Sequence, residues 1–174
     1  SGAGNSADGP VSIGSAIART VAQQGGNVVV FDVSETAAAV TLAAIESDGG
    51  TASLHQGDVC SPDDCAGVVE AAGSTFGSFD GLVNCAAVLP ASQSASDDLD
   101  DWHRVIDINL LGPTLMSEAA APVLAKEGGG AIVNISSVSS LRGMGGGAYT
   151  SAKGGMNSMT IEHAYQWGRQ GIRV

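Results

Sequence analysis

Residues 136–153 read Ser-Ser-Val-Ser-Ser-Leu-Arg-Gly-Met-Gly-Gly-Gly-Ala-Tyr-Thr-Ser-Ala-Lys, and they place Tyr149 and Lys153 four positions apart behind a glycine-rich loop. On a helix that spacing stacks the two side chains on one face, one turn apart, so an ammonium can sit beside a phenol. An isolated phenol has a pKa of about 10, and bringing one near 7 takes roughly 4 kcal/mol of preferential stabilisation of the phenolate. A unit charge at ~4 Å supplies about 1 kcal/mol in water and about 4 at an effective dielectric near 20. The pair therefore serves proton transfer only in a partly shielded cleft. On spacing alone, a surface helix with a half-buried tyrosine and a solvated lysine is the commoner meaning. The surrounding chain decides between the two.

Immediately upstream, Ala131-Ile-Val-Asn-Ile135 is an apolar run of the length of a buried parallel strand, and Ser136 and Ser137 stand at its carboxyl edge. Three more segments repeat that form. Asn27-Val-Val-Val-Phe-Asp32 ends in an acid, Thr51–Gln56 delivers Asp58-Val59 into a turn, and Phe79–Asn84 leads into Asn84-Cys85-Ala86-Ala87. Helical segments alternate with them, at 34–47, from Ser61-Pro62-Asp63-Asp64 to about Phe76, from Asp97 to Lys126, and from Ala148 to Trp167. Gly171–Val174 reads as the start of another strand. The alternation predicts an α/β fold, a Rossmann-like, doubly wound parallel sheet covered by helices on both faces. Ligands of such sheets bind beyond the carboxyl edges of the strands, so Asp32, Asp58, Asn84 and the serines are expected on one rim. Asn109 falls in the middle of the longest helical stretch, where asparagine has poor propensity.

At the amino end a Gly-, Ser- and Asp-rich loop runs into a helix with Ile13, Ile17 and Val21 at helical spacing, and Ser12 is its N-cap candidate. A glycine-rich loop that opens a helix is a pyrophosphate cradle, with backbone N–H groups and the helix dipole aimed at the anion. Gly2 and Gly14 would allow close approach. Asp32 follows at about the distance at which an acid binds the adenosine ribose hydroxyls, and its charge repels a 2′-phosphate, so NAD(H) is favoured over NADP(H).

The 174 residues are 44% hydrophobic and 14% charged, which fits one globular domain spanning residues 1–174. No run approaches the roughly eighteen apolar residues of a membrane span, and no basic-then-apolar signal segment occurs. A cytoplasmic protein without a membrane partner is expected. The net charge of −11 with only 7 Lys and Arg speaks against nucleic acid, which is held through clustered cations. Cys60, Cys65 and Cys85 lack C-x-x-C spacing, and His55, His103 and His163 are scattered, so neither a disulfide framework nor a metal site is indicated.

In this order the residues resemble the short-chain dehydrogenase/reductase family over essentially the whole chain: the opening ending Ser12-Ile13-Gly14, Asp32, Asp58-Val59, Asn84-x-Ala86, Asn109, Ile-Ser-Ser137 and Tyr149-x-x-x-Lys153. The resemblance implies an NAD(P)-dependent oxidoreductase interconverting an alcohol and a carbonyl compound. It makes Tyr149 the proton-transfer group, Ser137 a donor to the substrate oxygen, and Lys153 the cation that favours the phenolate and holds the nicotinamide ribose. Asn109 would order a water chain. Gly2, Ser12, Ile13, Gly14, Asp32, Val33, Asp58, Val59, Asn84 and Ala86, together with Tyr149 and Lys153, would contact the cofactor. The helices around 97–126 and 148–167 would pack against a second copy in a homo-oligomer. Other classes compatible with the motifs are a dinucleotide-binding module without turnover and an epimerase or dehydratase relative.

Three features depart from the family pattern. Its opening is Thr-Gly-x-x-x-Gly-x-Gly, whereas here a longer stretch includes Asn5–Pro10 and Ser12 holds the middle glycine's place. That longer loop is similar to the enoyl reductase branch, which spaces its tyrosine and lysine more widely than four residues. The family's Asn-Asn-Ala-Gly is Asn84-Cys85-Ala86-Ala87 here. Finally, the family's glycine loop follows a strand, but this chain begins at Ser1 and stops at Val174 within one. The chain thus reads as an internal piece lacking the first strand, the last strands and the substrate cover. The first strand would lie between those at Asn27 and Phe79, so its absence predicts either a gap near 10 Å or direct pairing of those two. The isolated polypeptide is expected to be poorly stable and inactive.

Overall fold

A computed structural model describes residues 11–91 and 98–174. Gly2 and the Asn5–Pro10 loop lie outside the described residues. The elements follow the order α1 (Ile13–Gln23), β1 (Asn27–Asp32), α2 (Glu35–Ser47), β2 (Thr51–Gln56), α3 (Pro62–Phe76), β3 (Gly81–Asn84), α4 (Leu99–Ile106), a π-helical turn (Asp107–Leu111), α5 (Gly112–Lys126), β4 (Gly130–Asn134), α6 (Gly147–Trp167) and β5 (Ile172–Arg173). Short 3₁₀ turns at Val138–Ser140 and Gly168–Gln170 precede and follow α6.

Local chemistry accounts for most boundaries. Ser12, Ser34 and Ser61 cap α1, α2 and α3 by accepting the amides of Ser15, Ala37 and Asp64. Pro62 follows its cap at a position where a missing N–H costs nothing, and α3 ends at Gly77 with φ 82°, a left-handed conformation that favours glycine. β3 begins two residues later than the apolar run suggests, at Gly81.

All strand pairs are parallel. β1 runs beside β2 in a two-stranded sheet with Asn27 opposite Thr51, and β3, β4 and β5 form a three-stranded sheet with Gly81 opposite Ala131 and Gly130 opposite Ile172. β1 distributes its side chains by the two-residue period of a strand. Val30, with Val28 beside it, packs with Ala18 and Ala22 of α1 and with Ala38 and Ile45 of α2. Phe31, with Val29, packs on the opposite face with Val68 and Val69 of α3, Met116 and Leu124 of α5, and Leu82 and Ile132 of the other sheet. Helices therefore cover both faces, as a doubly wound fold requires.

Among the described residues no ladder joins β1 to β3, so these two strands do not pair directly. A cavity of about 540 Å³ lies between the sheets, bounded by Val21 of α1, Val29 of β1 and Val83 of β3. Val133, in the middle of a parallel sheet where burial is the rule, is 49% exposed beside it.

The expected single helix from 97 to 126 is instead α4 and α5 joined by the π-helical turn, and Asn109 sits in that turn, fully buried. Its Nδ2 donates to the carbonyl of Val105 at 2.9 Å and to that of Val88, 21 residues away, at 2.8 Å. A side-chain amide that engages backbone carbonyls competes with the helical ladder, and one wide turn is the accommodation.

Candidate active site

A second cavity, of about 500 Å³, follows the carboxyl edges of β1, β2, β3 and β4. Each edge contributes: Asp32 at the end of β1 with Val33 beyond it, then, just past their strands, Gly57 to Val59, Cys85 to Val88, and Ile135 and Ser136. The start of α1 closes one end with Ser12, Ile13 and Gly14, and Tyr149 and Lys153 of α6 close the other. Its size lies within the range of small-molecule sites.

At the α1 end, Ser12 Oγ accepts the amide of Ser15 at 3.1 Å and Ser12 O that of Ala16 at 2.9 Å. The amides of Ile13 and Gly14 belong to the first turn, where no intrahelical carbonyl serves them, and both residues border the cavity. Asp32, half-buried at the end of β1, takes the Ser34 amide on Oδ1 at 3.0 Å, and its backbone carbonyl takes Gly57 N at 3.1 Å, which ties the β1 and β2 edges together.

At the α6 end, Lys153 is 1% exposed, and its ammonium donates to the Ile135 carbonyl at 2.9 Å. Burial lowers its pKa, partly opposed by Cys85. The same ammonium lies 5.8 Å from the centre of the half-buried Tyr149 ring. Gly145 packs against that ring closely enough that a Cβ there would come within 2.9 Å of Tyr149 Cδ1.

The two serines diverge. Ser136 borders the cavity, and its hydroxyl donates to Asn157 Oδ1 at 2.6 Å. Ser137 does not border it and instead accepts the Ser139 amide at 3.1 Å, capping the 3₁₀ turn. Ser137 therefore keeps its own hydroxyl hydrogen for another acceptor. Asn84 and Asn109 also stand back from the cavity, although Val88, whose carbonyl Asn109 holds, lines it. Asn84 is buried, with Nδ2 and its two hydrogens within hydrogen-bonding distance of Ser117 Oγ at 3.0 Å, Asn134 Oδ1 at 2.9 Å and the Pro113 carbonyl at 3.3 Å. Asn134 continues to Thr160 Oγ1 at 3.0 Å. This network joins β3, β4, α5 and α6.

Of the residues singled out in the sequence, Ser12, Ile13, Gly14, Asp32, Val33, Asp58, Val59, Ala86, Tyr149 and Lys153 thus share one cavity. Ile108, Gly57 and Cys85 join them unannounced. Ile108 arrives through the π-helical turn, and Cys85, whose thiol pKa is raised by burial, lies within electrostatic reach of Lys153. No helix among the described residues is long and apolar enough to cross a membrane, and no cluster among them could hold a metal ion.

A family model described as enoyl-(acyl carrier protein) reductase matches residues 7–174. Cyclohexanol dehydrogenase from Acinetobacter sp. (strain SE19) is 35% identical over 164 residues, and the crystal structure of a short-chain dehydrogenase from Mycobacterium avium superimposes with a TM-score of 0.87 at 32% identity. The chain belongs to the short-chain dehydrogenase/reductase family. Within the family, the cyclohexanol dehydrogenase alignment covers 93% of this chain and 65% of the relative, and the Mycobacterium avium alignment covers 94% and 62%. NAD+-bound xylitol dehydrogenase superimposes with a TM-score of 0.89 at 29% identity, covering 93% of this chain and 63% of the other. The chain therefore spans just under two thirds of the length of these relatives.

The lining of the cavity is of a kind that fits a nicotinamide dinucleotide, NAD(H) or NADP(H). It offers first-turn amides of a capped helix for a pyrophosphate, a carboxylate at the β1 edge for ribose hydroxyls, and a buried cation at the far end.

Proposed function

We propose that this chain forms the cofactor-binding and proton-transfer part of an NAD(H)-dependent oxidoreductase that interconverts a secondary alcohol and a ketone. The observation that carries the reading is the single cavity bordered at one end by the α1 N-terminus and Asp32, and at the other by Tyr149 and Lys153. Bound nicotinamide supplies the hydride chemistry. The chain's own residues bind, orient and move a proton.

Ile13 and Gly14 receive the pyrophosphate and Asp32 the adenosine ribose, with Val33, Asp58, Val59 and Ala86 along the adenine and cofactor walls. The Asp32 carboxylate favours NAD(H), because a 2′-phosphate would bring like charge against it. In the oxidation direction the Tyr149 oxygen takes the hydroxyl proton, and in reduction it returns it. Lys153 favours the phenolate by its charge and, held by Ile135, keeps that charge on the cavity side. Ser137 gives its hydroxyl hydrogen to the substrate oxygen. Asn84 acts through the polar network that fixes the β3 and β4 edges, and Asn109 through the Val88 carbonyl.

The names of relatives support the substrate class, since they include a cyclohexanol dehydrogenase and the D-threitol dehydrogenase of Mycolicibacterium smegmatis, 33% identical over 166 residues. The description of the matched family supports a second reading, reduction of an enoyl thioester. The four-residue step between Tyr149 and Lys153 favours the first. A second copy of the chain is the proposed partner, seated on the outer face of α6, where Ile161 and Tyr165 are 73% and 85% exposed.

The test is spectrophotometric. The full-length protein that carries this chain is mixed with NAD+ and a panel of cyclic and acyclic secondary alcohols, and with NADH and either ketones or a crotonyl thioester. NADH formation with the alcohols, and its consumption with the ketones, is expected. Activity with the thioester alone would replace the first reading by the second, and no change in NADH absorbance with any of them would contradict both.

A further inference from the structure

Helix α3 opens Ser61-Pro62-Asp63-Asp64, the arrangement of a capping box, in which the acid three residues into the helix normally accepts the amide of the cap residue. Here that amide is already used, because Ser61 N donates to the Asp58 carbonyl at 3.0 Å. The Asp64 carboxylate reaches three residues further back instead and accepts the Asp58 amide at 2.8 Å. The next residue, Cys65, donates its thiol hydrogen to the Val59 carbonyl at 3.3 Å. Adjacent side chains of one helix turn thus hold the amide of Asp58 and the carbonyl of Val59, two residues that border the cofactor cavity.

The grip is reinforced on both sides. Asp58 Oδ1 accepts the Cys60 amide at 2.9 Å, closing the turn from within. Gly57 is pressed between strand and helix, so that a Cβ there would lie 2.6 Å from Phe31 Cε2 and 2.9 Å from Asp64 Cβ. Val59 is buried against Gly112 of α5, where a Cβ would meet Val59 Cγ2 at 2.7 Å. The Cys65 thiol, its pKa pushed up to about 11 by burial and neighbouring acids, stays protonated and remains a donor. The loop is thereby held by one charged acceptor and one neutral donor. The charged acceptor is the stronger of the two.

We propose that Asp64 is a positioning residue for cofactor binding: through the Asp58 amide it sets the loop that receives the adenine end of the dinucleotide, without touching the ligand itself. The proposal rests on the dinucleotide reading of the cavity. It predicts that the two ends of the cofactor respond differently to loss of Asp64, which general loosening of the domain would not produce.

Isothermal titration of the full-length wild-type protein and of its Asp64→Ala and Asp64→Asn variants, with ADP-ribose, NADH and nicotinamide mononucleotide as probes, separates the outcomes. Asp64→Ala is expected to weaken ADP-ribose and NADH roughly tenfold, the scale of one charge-assisted hydrogen bond, and to leave nicotinamide mononucleotide unchanged. Asp64→Asn keeps an acceptor oxygen and should lose less than about threefold. Unchanged ADP-ribose affinity in Asp64→Ala would overturn the proposal. Equal weakening of ADP-ribose and nicotinamide mononucleotide together with a lowered Tm would also overturn it, as the mark of a purely structural residue. A wild-type protein that binds neither ADP-ribose nor NADH would remove the dinucleotide reading itself, and this proposal with it.

Discussion

Lys153 and Tyr149 stand one helical turn apart on α6, with the ammonium nitrogen 5.8 Å from the phenol ring centre and hydrogen-bonded to Ile135 O at 2.9 Å. A carbonyl just beyond the end of β4 therefore fixes the cation beside the tyrosine. The i, i+4 spacing sets which face of the helix the pair occupies, and β4 sets where the charge ends.

Removing that cation separates function from stability. Lys153 is buried, and burial lowers its pKa, so its charged form is held at a cost in the folded chain. Lys153→Met fills the same space without charge. Its Tm is expected to be unchanged or raised in thermal melts, while NADH turnover falls at least about a hundredfold. A large fall in Tm would show that the lysine is held for the fold.

Asn109 should act in the opposite sense. Its Nδ2 serves the Val105 and Val88 carbonyls, and the residue is fully buried, so Asn109→Ala leaves two acceptors without their donor. A loss of roughly 2 kcal/mol is expected from urea titration, together with weaker NADH binding as the segment carrying Val88 loosens.

Cofactor preference should reside in Asp32. Replacing it by serine removes the charge at the β1 edge while keeping a short acceptor for the Ser34 amide. The ratio of NADPH to NADH affinity, measured by fluorescence titration, is expected to rise about tenfold or more. An unchanged ratio would mean that another residue selects the cofactor.

His163 gives stability a pH dependence. It is buried and stacked on Trp167 with ring centres 4.1 Å apart, and its Nδ1 finds no partner among the described residues. Burial lowers its pKa despite the opposing pull of Glu118 and Glu162. The unfolded chain takes up this proton near the ordinary value of about 6.5, the folded chain only at lower pH. Stability from this residue is therefore complete above about pH 6.5 and is lost as pH falls through the lowered folded pKa. Urea midpoints at pH 7.5 and 5.5 should differ more in the wild type than in His163→Phe, which keeps the ring stack.

Elements written in local chemistry were legible from the residues. The apolar run 27–32 is β1, Ser12 and Ser61 cap their helices, and Tyr149 and Lys153 meet the strand edges in one cavity. What escaped depends on partners far along the chain. The π-helical turn holds Asn109, which is bonded to the Val88 carbonyl, and Asn84 is spent on Ser117 and Asn134, 33 and 50 residues away. No local pattern announces such pairings. The same holds for Ser136 and Ser137, adjacent in sequence, whose hydroxyls are separated by their engagement with Asn157 of α6 and the amide of Ser139.

Tyr149 is proposed to transfer the proton in an NAD(H)-dependent alcohol–ketone interconversion. Tyr149→Phe removes one oxygen atom and leaves the ring that packs on Gly145. The direct measurement is NADH affinity by fluorescence titration alongside steady-state turnover with the best alcohol of the panel. NADH affinity is expected to stay wild-type-like and turnover to fall by about a thousandfold or more. Turnover equal to that of the wild type would contradict that role.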